Sequence, residues 1–139
     1  MLVWGTVNPS GESDDGYRGF YLTHGDIRRC VDSREIIDKP VKIEHKGADI
    51  GRVVSAWCNA AGQMDCLLEV HDNKSLEGAV IAQFVGQGLC KELSLGYLVD
   101  VQNSARGVCA SNKRIIEVSI VKKGARDRCY IHGFTPRTG

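Results

Sequence analysis

The feature that most constrains this 139-residue chain is a succession of short segments with two-residue periodicity, separated by turn signals. Pro40-Val-Lys-Ile-Glu-His45 alternates apolar and polar residues, the period of a strand with one buried face. Gly51-Arg-Val-Val-Ser-Ala-Trp57 and Met64 to Val70 read as strands on either side of a hairpin turn at Asn59-Ala-Ala-Gly62. Leu2 to Val7, Leu93 to Val101, the β-branched run Arg114 to Val121, and Cys129 to Phe134 read the same way, with Tyr17 to Leu22 as a looser extended piece. Asn8 to Gly16, Asn103 to Asn112 and Lys122 to Asp127 are polar and turn-prone.

Only two helices interrupt this pattern. Thr23 is an N-cap candidate with Asp26 three residues on, which predicts a short helix to about Val31 with His24 facing solvent. Ser75 precedes a stripe of Leu76, Val80 and Phe84, with Ile81 and Val85 beside them, which predicts a helix that packs that stripe into the core. Gly86 and Gly88 end it. A parallel α/β sheet needs helical crossovers at regular intervals, and the chain has none. The expected fold is therefore mostly β: a closed antiparallel β-barrel of about seven strands with one or two flanking helices. The length suits one domain, spanning 1–139, with a single core.

Charge and composition narrow the function. Eighteen Lys and Arg against seventeen Asp and Glu give a net charge of +1, so no global charge calls for a nucleic acid or a membrane. The longest uncharged run, Gly78 to Cys90, falls far short of the roughly 20 apolar residues of a membrane helix. The first residues lack the pattern of a secretory signal, so a soluble, intracellular protein is expected. The six cysteines, Cys30, Cys58, Cys66, Cys90, Cys109 and Cys129, show no CxxC pair and no metal-ligand spacing. They are read as free thiols, and no metal or cofactor is implied; Cys58 and Cys66, on either side of the hairpin turn, are the pair that would bridge if any did.

The residues that carry chemistry are scattered. A serine hydroxyl is a weak nucleophile and needs an adjacent base, for which histidine has the right pKa. The imidazole in turn needs a third group to fix its tautomer and stabilise its charged form. Ser94, His45 and Glu117 all lie on strand-like segments, with Glu117 placed to point inward. Lys123-Gly124-Ala125-Arg126 offers backbone N–H groups for an oxyanion. By spacing alone His132 and His71 are alternatives for the third role. Cys90 is a competing nucleophile without an identifiable base, and Asp100 reads as a surface charge.

Three segments taken together, Pro40 to His45 with Gly51-Arg-Val-Val, Lys91-Glu-Leu-Ser94-Leu-Gly-Tyr97, and Lys113 to Arg126, resemble the herpesvirus capsid-maturation proteases (assemblins) and the related phage prohead proteases. The resemblance implies a serine endopeptidase with Ser94 as nucleophile, His45 as general base, Glu117 as orienting residue and Gly124, Ala125 and Arg126 as the oxyanion loop. Herpesvirus enzymes usually have a second histidine at the third position, whereas the phage branch tends to an acidic residue. It further implies an N-terminal catalytic domain of a protease–scaffold precursor. That domain would cut capsid scaffold or assembly protein and itself, inside an immature capsid in the host nucleus or cytoplasm. A homodimer stays open, since the C-terminal helices used for dimerisation in the herpesvirus enzymes have no clear counterpart after Phe134. Two rival readings stand beside it. One is a small basic barrel binding nucleic acid through Lys113, Arg114, Lys122, Lys123, Arg126 and Arg128, against which no aromatic residue lies between Lys113 and Arg128 for base stacking. The other is a non-catalytic scaffold domain.

Overall fold

The computed structural model describes residues 1–8, 22–104, 107–123 and 129–135. Its strands and helices follow one another as β1 (Leu2–Asn8), α1 (His24–Asp32), β2 (Pro40–Ile43), β3 (Lys46–Cys58), β4 (Met64–Val70), α2 (Leu76–Gly86), β5 (Glu92–Ser104), β6 (Gly107–Val121) and β7 (Ile131–Thr135). The seven strands form one curled sheet in the order β5-β6-β2-β3-β4-β1-β7. Val3, Val41, Ile50, Val53, Leu68, Leu93, Val118 and Ile120 line its concave side, and Ile27 and Cys30 of α1 join them there.

The fold is mostly β as expected, but the barrel is not fully closed. Its end strands β5 and β7 meet at one bridge, Glu92 to Tyr130. Two backbone bonds flank that bridge, Leu93 N–H to Cys129 C=O at 2.8 Å and Ile131 N–H to Lys91 C=O at 2.7 Å. Gly5 lets the Tyr130 carbonyl lie close against β1, where it accepts from the Thr6 N–H at 3.0 Å; a Cβ on Gly5 would lie 2.3 Å from that oxygen. The sheet is also not purely antiparallel: β2 pairs with β6 in parallel, Val41 beside Val118 and Ile43 beside Ile120.

Local signals account for the elements that came out as expected. Thr23 and Asp26 form a reciprocal capping box at the start of α1, and Ser75 caps α2 through the Gly78 N–H. Other elements differ. Most of the stretch expected as a loop, residues 103–104 and 107–112, is strand: β5 and β6 continue their antiparallel ladder to Ser104 opposite Gly107. A ladder is made by backbone groups, which side-chain polarity does not report. The expected strand from Tyr17 lies outside the described residues up to Leu22.

Helix α2 turns its other side inward. Gly78, Ile81, Ala82 and Val85 are buried, while Leu76 is 77% exposed and Val80 is also exposed. The helix is apolar almost all round, so periodicity did not choose its buried face. The small residues Gly78 and Ala82 did, by letting the helix lie close: a Cβ on Gly78 would meet the His71 carbonyl oxygen at 2.3 Å. Of the expected stripe only Phe84 packs against the core, half-buried; Leu76 and Val80 line, with Phe84, Ile43 and Glu44, a groove of about 290 Å³.

Cys58 and Cys66 do not bridge. Cys58 pairs with Met64 and Cys66 with Ala56, one thiol exposed and the other buried. Cys30, Cys58, Cys66 and Cys90 are free thiols. Among the described residues no helix is long and apolar enough to cross a membrane.

Candidate active site

The site is assembled by the register of β5 on β6. Ser94 lies opposite Ser119, and Gly96 opposite Glu117. In a strand, residues two apart share a face, so these four positions form a square on one side of the sheet. Their neighbours Leu93, Val118 and Ile120 point the other way, into the core. Glu117 is therefore buried, but on the face opposite the core rather than pointing into the barrel.

The fourth participant arrives from β2. The expected strand Pro40 to His45 stops at Ile43, which pairs with Lys46 across a two-residue turn, Glu44-His45. Both turn residues have positive φ, 52° and 62°, the requirement of a type I′ hairpin turn. Such turns favour Asn and Gly, so holding Glu and His there costs backbone strain. Three bonds to β6 and its continuation hold it. The Glu44 N–H donates to Ile120 C=O at 3.3 Å, the His45 N–H donates to Ser119 Oγ at 2.9 Å, and Glu44 Oε1 accepts from the Lys122 N–H at 2.8 Å.

The turn lays the His45 ring between two side chains. Its Nδ1 meets Glu117 Oε1 in a short contact, and its Nε2 lies 2.8 Å from Ser94 Oγ. A carboxylate accepts only, so the proton belongs on Nδ1. That leaves the Nε2 lone pair facing the Ser94 hydroxyl, the arrangement that lets an imidazole take a serine proton. Glu117 uses its second oxygen as well, accepting from Ser119 Oγ at 2.7 Å. The carboxylate and Ser94 are nearly sealed from solvent, at 6% and 5% exposure, whereas the His45 side chain is 42% exposed. The imidazole thus reaches the surface, with the Ser94 hydroxyl and the Glu117 carboxylate both beneath it.

The other candidates fall elsewhere. His71 Nε2 is 3.1 Å from Glu69 Oε1, and His132 Nε2 is 3.1 Å from Thr6 Oγ1; neither is the group at the Nδ1 of His45. His24 and Asp100 are exposed. Cys90 is buried, and that burial, with Glu44 nearby, pushes its thiol pKa up, against thiolate formation. Gly124, Ala125 and Arg126 lie outside the described residues. Of the basic stretch, Lys113 is buried with its Nζ 3.0 Å from Asp26 Oδ2, so it adds nothing to an outward basic face. Among the described residues no group of three or more His, Cys, Asp or Glu could hold a metal ion.

Two members of the site were missed from sequence. A Cβ on Gly96 would lie 2.0 Å from Glu117 Oε1, so the glycine is the space that the carboxylate occupies. Ser119 bonds both Glu117 and the backbone of His45. The readable signal was period two: Ser94 and Gly96 on one strand, Glu117 and Ser119 on the other.

Compared by sequence, the chain matches no family model and no curated protein. Compared by structure, it is similar to the KSHV protease, solved as a crystal structure in complex with a hexapeptide phosphonate inhibitor. The TM-score is 0.62 at 15% identity, and the match covers 94% of this chain. It covers 63% of the KSHV chain, so this chain spans less than two thirds of that protein. The likeness shows an assemblin-like fold.

Proposed function

We propose that the chain is a serine endopeptidase in which Ser94 is the nucleophile, His45 the general base and Glu117 the residue that orients it. One observation carries the reading: Ser94 Oγ, His45 and Glu117 stand in unbroken hydrogen-bonded series although they are 72 residues apart at the extremes. On attack the Ser94 oxygen bonds to the scissile carbonyl carbon while its proton passes to His45 Nε2. The carbonyl oxygen takes the negative charge, which we assign to backbone N–H groups of Gly124 to Arg126. Collapse breaks the C–N bond, and the proton on Nε2 leaves with the amine. A water, deprotonated by the same nitrogen, then splits the acyl ester and restores the serine.

The likeness to the KSHV protease and the three sequence segments support a role in capsid maturation. On this reading the chain is the catalytic part of a scaffold-fused precursor, and it cuts the scaffold protein and itself. The test has two parts. A fluorophosphonate probe followed by peptide mapping is expected to label Ser94, leaving Ser55 and Ser119 untouched. A precursor carrying the scaffold segment is expected to release the chain when intact and to stay whole as Ser94→Ala. An unlabelled Ser94 in the folded chain overturns the enzyme reading and leaves a non-catalytic domain of the same fold. Labelling without release overturns only the self-cleavage role.

A further inference from the structure

We infer that Ser119 is a positioning residue of this site, fastening the orienting carboxylate and the backbone of the base to one another; the inference rests on the serine-protease reading above. Ser119 is fully buried and lies across the sheet from Ser94. Its oxygen makes two bonds of opposite sense. It accepts from the His45 backbone N–H at 2.9 Å and donates to Glu117 Oε2 at 2.7 Å. One hydroxyl therefore sets the height of the turn that carries the imidazole and the rotation of the carboxylate that receives it.

Both partners need this. His45 sits in left-handed backbone with φ of 62°, a conformation that a bulky residue keeps only when its surroundings over-determine it. Its N–H points at the Ser119 oxygen, and a side chain that cannot accept would leave that donor unanswered beside a strained turn. Glu117 has two oxygens and one ring to serve. With Oε2 fixed by Ser119, Oε1 is held in the direction of His45 Nδ1, and Gly96 leaves the carboxylate the space to lie there. The hydroxyl cannot itself act as nucleophile here: its proton is directed at a carboxylate oxygen, and no imidazole nitrogen faces it. Its role is geometric, and geometric errors of about 1 Å at a reacting pair are worth up to ~100-fold in rate.

The experiment compares wild type, Ser119→Ala, Ser119→Cys, Ser119→Thr, Glu117→Gln and the Ser119→Ala/Glu117→Gln double variant. All are made in the full chain, with phosphonylation of Ser94 by a fluorophosphonate, which forms the O–P bond and releases fluoride, followed at varied probe concentration. Ser119→Ala is expected to slow the maximal phosphonylation rate about 10- to 100-fold with half-saturation within about twofold. Ser119→Cys, similar in size but a poor hydrogen-bonding group, follows it, and supplies the readout if the alanine variant does not fold. Ser119→Thr, which keeps the hydroxyl, restores the rate to within about fivefold of wild type. In the double variant the two losses fall short of multiplying, because residues in one network are coupled.

A merely structural serine predicts the reverse: fully multiplicative losses, or a lowered melting temperature with the phosphonylation rate unchanged. Either result overturns the inference, as does a threonine variant no better than alanine. If wild type itself is not phosphonylated, the serine-protease reading has failed. If wild type is phosphonylated and Ser119→Ala equals it, only the role of Ser119 has failed.

Discussion

Strand β6 carries a polar cluster at each of two places, built from similar parts. Around Lys113 to Ile115 it is clamped to α1. Lys113 Nζ bonds Asp26, Arg29 bonds both Glu35 and the Lys113 carbonyl at 2.7 Å, and Cys30 Sγ donates to Glu35 Oε2 at 3.1 Å. Around Glu117 to Ile120 it holds the Ser94–His45–Glu117–Ser119 series. Each cluster has a carboxylate and a side chain of nucleophilic type. By residue alone the clamp holds the stronger nucleophile, since a thiolate outperforms an alkoxide near neutral pH.

The surroundings reverse that order. Burial, then the bond to Glu35 and that carboxylate's charge, push the Cys30 thiol up to about 12, which keeps it protonated. Its proton is directed at a carboxylate and no imidazole faces it. Ser94 has an imidazole nitrogen at 2.8 Å whose other nitrogen is already committed to Glu117. In the clamp the carboxylates meet a guanidinium and an ammonium, Arg29 and Lys113; in the site the carboxylate meets an imidazole, the side chain suited to general acid–base chemistry. On the proposed reading, what distinguishes a reactive cluster from a fastening one is a partner able to take up and release a proton, placed where solvent reaches it.

The largest expected effect breaks the comparison most directly. Ser94→Ala should lower proteolysis by roughly 10⁴-fold or more while the fold persists, since members of such a series act as a unit. Cys30→Ala should leave turnover within about twofold and instead lower the unfolding midpoint, because it removes a buried contact of α1. Peptide hydrolysis and urea unfolding on the two variants measure both. Activity that follows Cys30 and ignores Ser94 would assign the two clusters the wrong way round.

Much of the site was legible because its residues obey strand periodicity and a chemical logic that needs no coordinates. Ser94, His45 and Glu117 were named from residue type, order and resemblance, and the structure brings their side chains together. The capping box at Thr23 and the strand Met64 to Val70 were equally readable, because their signals are local. What was not legible depends on contacts between distant segments. The Glu44-His45 turn contains neither Asn nor Gly, so its hairpin is dictated by bonds to β6 rather than by turn chemistry. The parallel pairing of β2 with β6 has no sequence signal at all. Gly96 reads as an unremarkable strand glycine until register sets it against Glu117.

That glycine gives the next effect in size. Gly96→Ala places a methyl group where the Glu117 carboxylate now lies, 2.0 Å from Oε1 and 2.7 Å from the carboxyl carbon. The side chain of Glu117 must swing away, taking the hydrogen bond to His45 with it. Turnover is expected to fall about 100-fold, from misplacement rather than loss of any functional group. Adding back space by Glu117→Asp in the same chain should recover part of that loss. A Gly96→Ala enzyme with wild-type kcat would show that the carboxylate has room to spare and that its present direction is not required.

The smallest effects concern the clamp, and their sign follows from its titrations. Burial by itself would raise the Glu35 carboxyl, but bonds from Cys30, Arg29 and the Ile115 N–H outweigh it and hold the pKa below the usual range. Asp26 behaves alike: burial raises it, and the Thr23 N–H and Lys113 more than compensate. A carboxyl depressed in the folded state binds protons more weakly there than when unfolded. It therefore adds stability above the unfolded value, about pH 4, and that stability fades as pH falls through the folded value. Cys30 runs the opposite way. Its raised pKa adds stability below the unfolded thiol value of 9.0, and this is lost as pH climbs toward about 12. The α1 clamp is thus expected to weaken on both the acid and the alkaline side. Glu35→Gln should flatten both limbs together, because Glu35 sits in each, at a cost of about 1–2 kcal/mol at neutral pH. Melting temperature against pH, wild type beside Glu35→Gln, reads this out as a lower and flatter dome. Superimposed curves for the two proteins would mean that Glu35 contributes nothing to folding, and the clamp would then owe its hold to the Asp26–Lys113 pair and the Arg29 bond to the Lys113 carbonyl.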